Sequence, residues 1–210
     1  MGEITMGFIE YLTESPRLID PVDFNLSDRK WNNKFSEELL AKKNKEIYDE
    51  TDKHILFRTG NDAKGYISLI NKELTRIDYI VNYDQTNSKV LGRYVTQIAV
   101  WRSKGGFESY KNSDSVTRDV FFNILLKKYG TIVSDTEQTE NGRDFWIRML
   151  HRAVTRHDFK IGLMKVGIKD VEWYEGNSDG DLTDWMDDHY YAWTREMKGK
   201  TLRFVISDEK

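Results

Sequence analysis

The stretch EGNSDGDLTDWMDD, residues 175–188, holds the densest run of oxygen ligands in the chain, and the first chemistry to test on it is calcium binding. With Glu175 as the first position of an EF-hand loop, Asn177, Asp179 and Gly180 fall at the third, fifth and sixth. The twelfth position is then Met186, where the loop needs a bidentate Glu, and the first position is usually Asp. An acidic turn capping a helix that starts near Asp184 fits these residues better. The chain has no cysteine, so disulfides, thiolate nucleophiles and Cys-based zinc sites are absent together. His54, His151, His157 and His189 are scattered, with no HExxH pair, and no metal site is expected. Trp173, Tyr174, Trp185, Tyr190, Tyr191 and Trp193 form a dense aromatic group. Its neighbours are Asp179, Asp181, Asp184, Asp187 and Asp188 rather than the Lys and Arg of a base-stacking platform, which excludes nucleic acid as an expected ligand. Core packing is the plainer use of such a group, and a protein-binding surface the sharper one.

The elements that must position these residues are set by composition and pattern. Hydrophobic residues make up 39% and aromatics 13% of 210 residues, enough to bury a core. The net charge of −3 and pI of about 5.9 point to neither nucleic acid nor anionic membrane. No apolar run nears the roughly 20 residues of a bilayer span, and the start of the chain lacks the basic region of a secretion signal. A soluble, cytoplasmic protein is the expectation.

Residues 1–50 are expected to form an arm, interrupted at Pro16 and Pro21, and then a helix capped by Ser36 with Leu39, Leu40 and Ile47 on one face. Residues 51–210 are expected to form the main domain. HILFRTG, YISLINKE, RIDYIVNYD and VLGRYVTQIAVW read as a meander of antiparallel strands joined by the polar turns NDAKG and QTNSK. In the third of these, alternation puts Ile77, Tyr79 and Val81 on one face and Asp78, Ile80 and Asn82 on the other. SDSVTRDVFFNILLKKYG reads as an amphipathic helix with Val116, Val120 and Ile124, and beside them Phe121, Leu125 and Lys128, on its inner side. Lys127, Lys128 and Gly130 suit its end. TIVSD is a short strand, TENGRDFWIRMLHRAVTRHD a second helix, and FKIGLMKVG another strand. Residues 171–210 add the acidic turn, an aromatic helix and a closing strand, KTLRFVIS. The fold class is α/β (α+β): a mixed, mostly antiparallel sheet with helices on both faces.

This order of elements resembles the GNAT superfamily of acetyl-CoA-dependent N-acetyltransferases over roughly residues 50–170, with FFNILLKKYGTIVSDTEQTENGRDFWIRML its most motif-like stretch. That stretch is similar to acetyltransferase-like proteins of tailed bacteriophages. The resemblance implies that acetyl-CoA is the cofactor and that its pyrophosphate is held by a Q/R-x-x-G-x-G/A loop ahead of a helix N-terminus. Arg102, Gly105 and Gly106 match that loop. Phe107 stands where the last small residue belongs, and eight polar residues intervene before the helix. A rival alignment places the anion at the helix start, on Ser115, Thr117 and Arg118, with Asp114 opposing it. The resemblance further implies an oxyanion donor among the main-chain N–H groups of Ala99, Val100 and Trp101. Asp135 and Glu137 are the candidate bases. His151 is the only stand-in for the tyrosine acid that many members carry on the following helix. The acceptor would be a small amine or a protein amine. The alternative is a GNAT-like phage protein without catalysis, a virion component or host-targeting factor that binds a protein partner through the aromatic C-terminal segment.

Overall fold

The computed structural model describes residues 26–102, 110, 113–135, 140–156, 158–165, 170–176, 178–193 and 202–208. Helix α1 (Leu26–Ala41) leads into the meander β1 (Lys45–Glu50), β2 (His54–Gly60), β3 (Lys64–Asn71), β4 (Arg76–Ser88) and β5 (Gly92–Arg102). Helix α2 follows as three consecutive stretches, Ser113–Arg118, Asp119–Leu126 and Lys127–Tyr129, and then come β6 (Thr131–Val133), α3 (Glu140–Arg156), β7 (Lys160–Lys165), β8 (Val171–Trp173), α4 (Asp179–Asp188), a 3-10 turn (Tyr190–Trp193) and β9 (Leu202–Ser207). The nine strands form one sheet in the order β1-β2-β3-β4-β5-β6-β9-β7-β8. All pairings are antiparallel except that of β5 with β6, so the mixed, mostly antiparallel sheet expected from the pattern is present. Among the described residues no helix is long and apolar enough to cross a membrane.

Each face of the sheet buries its own cluster. Leu56, Ile67, Leu69, Tyr79, Val81 and Val100 pack with Phe121 and Leu125 of α2, Trp146 and Leu150 of α3 and Leu182 of α4. Ile55, Phe57, Ile70, Ile77, Ile80 and Trp101 project the other way and pack with Leu39, Phe35 and Leu40 of α1. The side chain of Asn32 in α1 accepts from the Ile77 amide (2.8 Å) and donates to the Ile77 carbonyl (3.2 Å), fixing the helix to the start of β4.

Several local expectations change. Ser36 is not a cap: it lies inside α1 and is buried. Ile47 is not on that helix either, but is half-exposed in β1, an edge strand written in the same Lys- and Glu-rich text as the helix before it. The QTN of the expected turn continues β4. Ile77 and Tyr79 do not share a face, because β4 carries an extra residue there: Leu69 pairs with Tyr79 and Ile70 with Ile77, leaving Asp78 as a β-bulge.

The middle of α2, Asp119–Leu126, is a π-helix. Its i→i+5 bonding widens the turn beyond the α-helical 3.6 residues. The buried residues accordingly recur as Val116 and Thr117, then Val120, Phe121 and Phe122, then Leu125 and Leu126, then Tyr129. Ile124, expected inside, is only partly buried. Gly130 ends the helix at φ 75°, and its amide returns to the Leu126 carbonyl at 2.7 Å.

Candidate functional site

Where β5 meets β6 the sheet opens. The two parallel strands share only two register pairs, Val95 with Ile132 and Thr96 with Val133. Immediately beyond them β5 also carries an extra residue: Tyr83 pairs with Gln97 and Asn82 with Ala99, so Ile98 is bulged. The chain leaving β6 stays with β9 instead. Ser134 donates its amide to the Phe204 carbonyl at 2.8 Å, and its Oγ accepts from the Phe204 amide at 2.9 Å. From residue 97 onward, therefore, β5 has β4 on one side and, among the described residues, no strand on the other. Main-chain groups along such an edge require partners. A split at the C-terminal ends of parallel strands is the usual place for a ligand in an open α/β sheet.

Of the expected site residues, Ala99, Val100, Trp101, Arg102 and Asp135 lie on the strands that form this split or just past them. Ala99 lies at the β5 bulge. Val100 is buried toward α2 and Trp101 toward α1, so both are committed to the core, and only their main chain is offered to a ligand. Arg102 is the last residue of β5, paired with Tyr79, and its side chain lies outside the described residues, as do Gly105, Gly106 and Glu137. Asp135 is half-buried just past β6. Ser115, Thr117 and Arg118 occupy the start of α2. Thr117 is buried, and its Oγ1 has no hydrogen-bond partner. Arg118 is half-buried.

His151 is placed elsewhere. It lies eleven residues along α3 from Glu140, about 16 Å at the helical rise. Its Nδ1 meets Asp179 Oδ1 of α4 at 3.3 Å. The structure does not bring it together with Asp135. The acidic turn also differs from its expected form: α4 begins at Asp179, not near Asp184. Ser178 is its N-cap, with Oγ accepting from the Asp181 amide at 3.1 Å. Asn177 lies outside the described residues. Among the described residues no group of three or more His, Cys, Asp or Glu could hold a metal. The aromatic group divides. Trp185 packs against Tyr174, His189 and Phe204, whereas Trp173 and Tyr190 are 38% and 66% exposed.

A second polar cluster had no sequence signal. His54 and Asp78 are both fully buried, and His54 Nε2 lies 3.3 Å from Asp78 Oδ2. The other carboxylate oxygen accepts from Arg76 Nε at 2.8 Å and from its terminal nitrogen at 2.7 Å. Nε2 also lies 3.5 Å from Asn71 Nδ2, and Nδ1 has no hydrogen-bond partner. Tyr110 covers the imidazole at 5.5 Å between ring centroids and donates to Asp49 Oδ2 at 2.6 Å. Burial, and then that bond, raise its phenol above the ordinary tyrosine range. Tyr110 lies between the end of β5 and the start of α2, so this cluster anchors the chain that leaves the split.

No protein-family model, curated protein or solved structure matches the chain.

Proposed function

We propose that the chain is a GNAT-like protein that transfers an acetyl group from acetyl-CoA to an amine. One observation carries the reading: the parallel β5–β6 pair parts after two register pairs, beside a bulge in β5, with a helix entering from the β5 side. The described donors fit an anionic, extended ligand. The open edge of β5 supplies main-chain groups. The start of α2 supplies the positive end of the helix dipole, the unpartnered Thr117 hydroxyl and the Arg118 cation. Acetyl-CoA, when bound, supplies the activated acyl group. Ser115, Thr117 and Arg118 would hold its phosphates together with Arg102, Gly105 and Gly106. The amides of Ala99–Trp101 would donate to the acyl oxygen as negative charge gathers there. Asp135, just past β6, would take the proton of the acceptor amine as the C–N bond forms, and coenzyme A would leave as its thiolate.

Calorimetric titration with acetyl-CoA tests the reading: saturable heat is expected, and its absence overturns it. A partner-binding role is the second reading, favoured by the exposure of Trp173 and Tyr190 on an acidic surface. A stable stoichiometric complex that Trp173→Ala and Tyr190→Ala abolish, in a chain that gives no heat with acetyl-CoA, would select it.

A further inference from the structure

The two end strands of the sheet are finished differently. β1 is protected by charged residues, Lys45, Glu46, Asp49 and Glu50, and by a bulge at Tyr48. β8, at the other end, pairs among the described residues with β7 alone. The Tyr174 amide donates to the Ile161 carbonyl of β7 at 2.8 Å, so Trp173, opposite Gly162, turns its own amide and carbonyl away from β7. The other outward amide of the strand, that of Val171, is taken by Asp170 Oδ1 at 2.9 Å. Trp173 is thus the open step of this edge, and its side chain is exposed as well. A Cβ on Gly162 would stand 2.9 Å from Trp173 Cε3, so the missing side chain of that glycine is what seats the indole.

The helix beside this edge carries charge that its own fold does not use. Asp184, Asp187 and Asp188 are exposed toward the C-terminal end of α4, where the helix dipole opposes them. Asp184 stands three residues from Asp181 and Asp187 and four from Asp188, the spacings at which like charges repel. Asp184, Asp187 and Asp188 meet no cation among the described residues, and the last turn of α4 has no basic residue. Glu172 joins this helix to the edge: its Oε1 lies 2.9 Å from Nε2 of His189, the residue after α4, and the exposed Tyr190 follows. Tyr174 packs on Trp185 of α4, whereas Val171 packs on the opposite face. Strand alternation therefore puts the acidic helix on one side of β8 and the indole of Trp173 on the other.

We propose that the β8 edge is a docking surface for an extended, lysine- and arginine-rich segment of another protein. Such a segment would add as a short strand on the main chain of Trp173. Its alternate side chains would meet the two faces in turn, cations against the carboxylates of α4 and the ring of Tyr190 on one, the indole on the other. The carboxylates that destabilise α4 in the free chain become the attraction in the complex. Nucleic acid and anionic membrane would be repelled by the same carboxylates. The proposal rests on the partner-binding reading, to which it adds the chemistry of the partner. It uses neither the start of α2 nor the open edge of β5.

The test is fluorescence anisotropy of a labelled, end-blocked peptide in which lysine alternates with threonine, titrated with the full chain. Saturable binding is expected, weakened about tenfold or more by Asp184→Asn, Asp187→Asn and Asp188→Asn together, and likewise by Trp173→Ala. The three Asn changes should at the same time raise the Tm of the free chain, which keeps the test valid should Trp173→Ala not fold. A peptide of the same sequence with N-methylated amides, which keeps the charge and cannot pair as a strand, should not bind. No saturable binding would overturn the proposal. So would equal weakening by Glu37→Gln, Glu38→Gln and Glu73→Gln, exposed carboxylates elsewhere, or undiminished binding of the N-methylated peptide. A stable complex with a protein partner that survives the three Asn changes would leave the partner-binding reading standing and overturn this one.

Discussion

A hydroxyl or carboxylate inside a fold has to be matched, and two residues here show the two ways in which it can be. Asp78 is matched inside the chain, by His54 on one oxygen and Arg76 on the other. Removing it leaves a buried imidazole and a partly buried guanidinium without their shared carboxylate. Asp78→Ala is therefore expected to cost about 3 kcal/mol in urea unfolding, in the range found when one partner of a buried pair is deleted. Thr117 is the opposite case, a buried hydroxyl with no partner in the chain. Thr117→Val keeps the shape and removes the unmet group, so stability should hold or rise slightly. If the hydroxyl serves acetyl-CoA, affinity measured by calorimetry should fall by roughly tenfold, the equivalent of about 1.4 kcal/mol for one hydrogen bond. Unchanged affinity would remove Thr117 from the site. The sequence made Thr117 and Arg118 visible because hydroxyls and a cation at a helix start have one obvious chemistry. It hid Asp78, since RIDYIVN alternates without a break and the extra residue that moves the carboxylate off its expected face is visible only in the pairing with β3.

At the scale of elements, what was legible was whatever repeats. The β2–β5 strands alternate, and α3 buries Phe145 and Trp146, Met149 and Leu150, Ala153 and Val154 at α-helical spacing. Elements without a repeat were missed. β8 has three residues, and β1 shares its Lys and Glu composition with the helix before it. The π stretch of α2 is subtler, since VTRDVFFNILLKKY satisfies an α-helical period well enough to conceal a wider one. The two geometries differ in what they bury. An α-helix would bury Ile124 with Val120 and turn Phe122 outward. The observed helix buries Phe122, stacked on Phe159 at 5.3 Å, and leaves Ile124 partly exposed. Phe122→Ala should then cost about 3 kcal/mol, as for a full core aromatic, and Ile124→Ala about 1 kcal/mol. Urea unfolding of the two variants separates the cases, and the reverse ranking would show that the helix is α throughout.

Over the whole molecule, the two halves of the sheet are built differently. The β2–β5 meander joins strands close in sequence, and its order could be read directly. The second half inserts β9 between β6 and β7, pairing Thr131 with Ser207, and no local pattern in a three-residue β6 announces a partner so far along the chain. At the end of the sheet away from Asp78, a charge cluster adds to the apolar packing that joins the meander to α2. Asp62, in the β2–β3 turn, meets Arg58 of β2 at 2.7 Å and Lys128 of α2 at 3.1 Å, while Arg58 and Lys128 both also reach Glu46 of β1. Tyr83 and Tyr129 donate to the Asn61 and Asp62 carbonyls in the same turn, at 2.8 and 3.1 Å. The hydrogen bond from Arg58, and next that from Lys128, hold the Asp62 carboxyl at about 2, below its ordinary range. A carboxylate depressed in the folded state stabilises above its unfolded pKa, and that stabilisation is lost as pH falls through the folded one. Asp62→Asn should therefore lower stability at neutral pH, and its difference from wild type should shrink steadily as pH falls from the ordinary carboxylate range toward 2. Because Asp62 is well exposed, salt should shrink the difference as well. Urea midpoints of the two proteins across that range, at low and high salt, measure the effect. A difference that does not change with pH would mean that the turn is held by its main-chain bonds to Tyr83 and Tyr129, and that the charges contribute nothing to joining α2 to the sheet.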